Sequence, residues 1–311
     1  MDDAGTLGDD GRTGDDGSRP PSAAAVLRRV LEDAASQFLD NDVPERAAAS
    51  GTGWLLPPTE GQVHQSRVAM RRMRSNLRTF RNLFDPSWNT AFRADLAWWI
   101  GVLGAERDLQ VLRHDLATRG PLVVDADALT PVLDRLDADV AAAAAAAASA
   151  RDSERHGRLV TEVEAVTTHL PFTPAAAGPA AAVLPRLLQR SWHDLRGAGR
   201  TARADPTDAN LHKLRIRSKA LRYGAETVAR VDGASARKLA RAAEALQTRL
   251  GEHHDSVVSL AWLASLARTE PDLGAVTVRL SVVQQAAGAV AKRGWRRDLK
   301  EIERRWRAWS R

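Results

Sequence analysis

The sequence predicts an all-α protein made of two similar four-helix bundles packed side by side. Three observations predict it. Past residue 20, apolar residues recur at spacings of 3 and 4, and no convincing run of alternating β-branched residues interrupts them. Helix breakers divide this pattern into about eight segments. One charged helix pattern is written twice, 148 residues apart, which points to an internal duplication.

The segments follow in order. The first, 22–49, stops before Pro57-Pro58, and the second, 59–84, stops at Asp85-Pro86. The third, 87–118, ends at Gly120-Pro121, and the fourth, 129–169, runs into the Pro- and Ala-rich stretch Pro171 to Pro179. The fifth, 180–198, precedes Asp205-Pro206; the sixth, 207–231, stops at Gly233. The seventh, 234–268, meets Pro271, and the eighth covers 274–309. The stretch 171–179 is therefore the joint between a first half, 21–170, and a second half, 180–311. Residues 1–20 carry a net charge of −4 and few apolar groups, so they are expected to be a disordered leader.

Bulk properties narrow the function classes. The chain has 311 residues, 44% of them hydrophobic, enough for a sizeable core. It contains no cysteine, which excludes disulfides and thiolate metal sites. No secretory signal pattern and no obvious membrane segment are visible, so the expectation is a cytoplasmic protein away from membranes. Net charge is +6 overall and +10 once the leader is set aside. A basic body of this kind suggests a polyanion partner.

The duplicated pattern locates the charge. The first copy places His64, Arg67, Arg71 and Arg74 at spacings of 3, 4 and 3; the second places His212, Arg215, Lys219 and Arg222 identically. Such spacing puts all four on one helix face. Arg78 extends the first row, and no acid occurs between His64 and Arg81. Beside each row runs an apolar stripe, Met70, Met73, Leu77, Phe80 and Phe84 in one copy and Leu211, Leu214, Leu221, Ala225 and Val228 in the other. Like charges in a row repel, so the pattern asks for an anion. Arginine suits phosphate because its planar fork donates two hydrogen bonds. A row repeating roughly every 5 Å along a helix follows a flexible phosphate chain without reading bases.

Weaker basic rows add candidate contacts: Arg155 and Arg158 in the fourth segment, and Arg297, Lys300 and Arg304 in the eighth. In the last, Asp298, Glu301 and Glu303 are at hand to pair with the arginines. A second landmark is repeated: Leu103-Gly104-Ala105-Glu106-Arg107-Asp108 is echoed by Leu250-Gly251-Glu252-His253-His254-Asp255, at an offset of 147.

On these paired motifs the chain resembles the CHAD family, the conserved-histidine α-helical domain, over roughly residues 22–310. The resemblance implies two four-helix bundles related by a pseudo-two-fold axis, with a basic groove or cavity between them. It implies binding of inorganic polyphosphate without catalysis and without a cofactor, and association with polyphosphate granules and their proteins. The ligand contacts it implies are His64, Arg67, Arg71, Arg74, His212, Arg215, Lys219 and Arg222, with Arg107 as a further contact. His254 stands where the first half has Arg107.

Two rival readings are weaker. A nucleic-acid binder would use the same cations, but base readout needs exposed aromatics or amides among them. A metal-dependent phosphohydrolase is suggested by His114-Asp115, His193-Asp194 and His254-Asp255, yet no spacing shows these ligands converging. No metal ligand is assigned.

Overall fold

The computed structural model describes residues 20–43 and 59–310. The leader, except residue 20, and the end of the first predicted segment lie outside these residues. The described residues are helical, with two isolated β-bridges and no strand. The helices are α1 (Ala23–Asp42), α2 (Glu60–Thr79), α3 (Pro86–Arg119), α4 (Ala126–Arg151), α5 (Glu154–Ala165), α6 (Ala180–Ala204), α7 (Asp208–Asp232), α8 (Ala234–Thr269), α9 (Gly274–Lys292) and α10 (Trp295–Trp309).

Local chemistry sets the ends. α2 starts in a capping box, with Thr59 accepting from the Gln62 backbone and the Gln62 side chain accepting from Thr59. Asp85 caps α3 ahead of Pro86, and Thr207 caps α7. Each predicted fourth helix is in fact two. Ser153 recaps the chain between α4 and α5, and Gly294, at φ 87°, turns it between α9 and α10. The periodicity runs through both joints, which is why sequence spacing reads each pair as one helix.

The first break is anchored from inside. Asp42, 1% exposed, accepts from Trp99 at 3.1 Å, bonds His156 at 2.7 Å and pairs with Arg151 at 3.4 Å. This network ties the end of α1 to α3, α4 and α5.

The packing repeats between halves. α1 packs on α2, α2 on α3 and α3 on α4, as α6 packs on α7, α7 on α8 and α8 on α9. Across the halves α1 meets α6, α2 meets α7 and α3 meets α8. Two further cross-contacts match in the same way, α1 with α7 and α2 with α6. One apolar core runs through both halves, from Ala23 to Trp306. Both predicted apolar stripes are buried in it. Trp295 and Trp306 of α10 are core as well, with Trp309 packed at the edge; Trp306 stacks on Trp192 with ring centres 4.9 Å apart.

The motif helices cross at their C-terminal ends. Thr227 donates to Asn76 at 2.7 Å, and Gly224 lets the helices close, since a Cβ there would lie 2.6 Å from Leu188 and 3.1 Å from Thr79. α3 and α8, each about 50 Å long, continue to a second apolar cluster that includes Leu112, Leu116, Leu263, Leu266 and Leu280. One apolar stretch, Pro271–Trp309, is long enough to cross a bilayer by length and composition. Here it is divided by Gly294 and packs on α8 through both α9 and α10.

Candidate functional site

A groove of about 370 Å³ opens where α3 and α8 pass from the main core to the second cluster. Arg71 of α2 and His212 and Arg215 of α7 face it. Arg67 and Lys219 stand behind its lining, close enough to Arg71 that its charge lowers the proton affinity of Arg67, Lys219 and Arg215. The two copies of the pattern, 148 residues apart in sequence, are thus brought to one place. Arg71, Arg215 and Lys219 form no ion pair among the described residues.

The second repeated landmark seats the first. Arg67, 4% exposed, packs over Gly104 and donates to Asp108 at 3.2 Å. Its mate Arg215 packs over Gly251, with Nε 3.4 Å from where a Cβ would stand, and is held by the field of Asp255. Glycine and aspartate four residues apart on α3 and α8 therefore hold the first arginine of each row. Sequence reasoning names both aspartates, in the repeated landmark and, for Asp255, in a His-Asp pair, but not this role; the Gly-to-Asp spacing, present in both halves, is the signal for it.

The histidines sit in equivalent places. His64 adjoins Arg107, and His212 packs on His254 with ring centres 4.2 Å apart. Burial first, then Arg107, Arg67 and Arg71, holds His64 below the usual imidazole range. Burial, Arg215 and Lys219 do the same to His212, while burial, His212 and Arg215 push His254 down to about 4. Burial and the arginines 215, 71 and 67 push Lys219 down to about 7. Each shift has the same meaning: the site already holds more positive charge than its surroundings solvate.

The groove is not uniformly basic. α2 and α7 supply Arg71, His212 and Arg215, while α3 and α8 supply Asp108, Asp115, Glu252 and Asp255. Arg119, also lining it, is paired with Asp115 at 3.0 Å. Arg107 bonds Glu60 at 3.1 Å at the His64 end.

Other predicted contacts go elsewhere. Arg222 turns to Glu226 and Glu244, each at 2.8 Å. Arg74 and Arg78 join Arg81 and Arg93 beyond the groove. Arg155 pairs with Asp95 and stacks over Trp98. Arg158 pairs with Glu154, Arg304 with Glu301, and Arg297 lies beside Asp298; with Lys300, none of these lines the groove. Among the described residues no group of three or more His, Asp or Glu could hold a metal ion.

Comparison with known proteins places the fold. The family model of the CHAD domain matches residues 45–264. Proteins MT2285 and Rv2226 of Mycobacterium tuberculosis are each 26% identical over 284 residues, covering 89% of this chain and 52% of theirs. The chain thus spans about half the length of these curated relatives. The structure is similar to PptA from Streptomyces chartreusis, with TM-score 0.69 and 24% identity over 92% of this chain and 99% of that one. It is also similar to the CHAD domain of the plant Ricinus communis, with TM-score 0.72 and 24% identity over 91% of this chain and 92% of that one. By the family match and the double landmark that seats its arginines, the chain belongs to the CHAD domain family.

Proposed function

We propose that this chain binds inorganic polyphosphate without catalysis, through the cations that α2 and α7 bring to the groove. One observation carries the reading: Arg71, Arg215 and Lys219 meet from the two copies of the pattern with no ion-pair partner among the described residues. Arg67 and Arg215 also bury guanidinium nitrogens with no hydrogen-bond acceptor in the protein. Buried donors of this kind cost free energy until an acceptor reaches them. A chain of phosphates supplies acceptor oxygens and negative charge together.

The row from His64 to Arg78 spans roughly 20 Å of helix. A longer chain engages more of it and releases more counterions. His64 and His212 enter as donors once protonated, and Arg74 and Arg78 extend the track. The proposed setting is the cytoplasm, at polyphosphate granules.

The test is titration of the full chain with polyphosphates of defined length, with orthophosphate and with duplex DNA at one salt concentration. Affinity is expected to rise with chain length, and DNA is expected not to displace a long chain. Equal affinity for triphosphate and long chains, or stoichiometric displacement by DNA, contradicts the reading.

A further inference from the structure

The C-terminal end of α2 carries a second group of arginines. Arg78, Arg81, Arg190 and Arg217 surround a recess of about 60 Å³, with Thr79 and Ser191 at its base. Arg74 and Arg93 stand close enough to add their charge. The carboxylate in the recess is Asp194, which bonds Arg217 at 2.9 Å. Arg74, Arg78, Arg81, Arg93 and Arg190 have no ion-pair partner among the described residues. Arg93 Nε is buried without an acceptor.

The duplication supplies a control for whether the fold itself requires this charge. At the offset of 148, Thr79 corresponds to Thr227, Arg78 to Glu226 and Arg81 to Ala229. In that half Glu226 closes an internal cluster, pairing with Arg72 at 3.3 Å and Arg222 at 2.8 Å. The same helix position is therefore compatible with a self-neutralised arrangement. In the first half it is filled by arginine against arginine, an arrangement that repels itself.

We propose that the Arg78–Arg81–Arg190–Arg217 recess is a second anion site, separate from the groove, that takes a single phosphoryl group. Four guanidiniums provide paired donors to tetrahedral oxygens. Thr79 and Ser191 share one hydrogen bond at 3.5 Å, which leaves one hydroxyl hydrogen to donate to a ligand oxygen. Asp194 pairs with Arg217 and acts on Arg78, but one carboxylate against four guanidiniums leaves the recess positive. Its small volume fits one phosphoryl group, either free orthophosphate or one unit of a chain that continues past the groove.

The two sources and the two sites are separated by variants of the full chain. Arg71→Ala with Arg215→Ala disables the groove; Arg81→Ala with Arg190→Ala disables the recess and touches no ion pair. Orthophosphate, tripolyphosphate and long polyphosphate are titrated into each by calorimetry, with circular dichroism reporting the fold. The groove variant is expected to keep binding a phosphoryl probe, and the added recess substitutions to weaken it by about tenfold or more. Orthophosphate binding identifies the free ion as the source; binding of chains alone identifies the polymer. A folded groove variant that binds none of the three probes overturns the second site. Equal binding by wild type and groove variant counts instead against the groove and leaves the recess standing.

Discussion

Arg67 and Asp108 meet at 3.2 Å across α2 and α3, the arginine 5% and the aspartate 62% exposed in their side chains. The pair is one-sided: the cation is committed to the interior and the anion is not. It explains why a histidine–arginine motif and a Leu-Gly segment recur together, since one supplies the guanidinium and the other its seat.

Asp108→Ala therefore has two opposite effects. It strips a buried guanidinium of its charged acceptor, which costs about 1.5–3 kcal/mol of stability. It also removes a negative charge from the groove wall, so polyphosphate affinity rises. Thermal melts with and without ligand check this: a lower Tm alone, and a larger ligand-induced increase than wild type, are expected.

Asp42 is structural, and its loss is the more damaging. Asp42→Ala leaves His156, Trp99 and Arg151 without their shared carboxylate at the joint of α1, α4 and α5. Breaking a buried charged network in this way costs about 3–5 kcal/mol. Chemical denaturation measures it, and a change under 1 kcal/mol contradicts the role assigned to the network.

Lys219 makes both stability and binding depend on pH. Its folded pKa, about 7, lies below the ordinary lysine value of about 10.4. Between those values the unfolded chain holds more protons, so the Lys219 contribution to stability rises with pH across that window. A bound phosphate chain favours the ammonium, so binding at pH 8 takes up protons, and affinity rises as pH falls toward 7. Calorimetry in buffers of different ionisation enthalpy reads the uptake. Lys219→Met is expected to remove most of it; uptake unchanged by that substitution assigns the protons elsewhere.

The helices, their stripes and the duplication were legible because each is a local pattern, spaced by the helix period or repeated at one offset. The breaks at Ser153 and Gly294 were not, since the apolar period runs across them. Charge pairing between helices is not legible for a related reason. The absence of acids from His64 to Arg81 excludes partners within α2 but is silent about other helices, and Asp108 and Glu226 come from α3 and α7. Arg222, on the same wheel face as Lys219, turns to Glu244 of α8 and to Glu226, its own i+4 neighbour on α7, which the sequence did show.

The central claim is that the groove cations exist for a polyanion and not for the fold. It is tested most directly by measuring long-chain polyphosphate affinity and helicity together for Arg71→Ala, Arg215→Ala, Lys219→Ala in one chain. Alanine favours helix and relieves like-charge repulsion, so helicity and Tm should stay at or above wild type. Affinity should fall at least about a hundredfold, on the order of 1.5 kcal/mol or more for each charged hydrogen bond lost. An unfolded triple variant, or a folded one that binds the long chain as wild type does, contradicts the account.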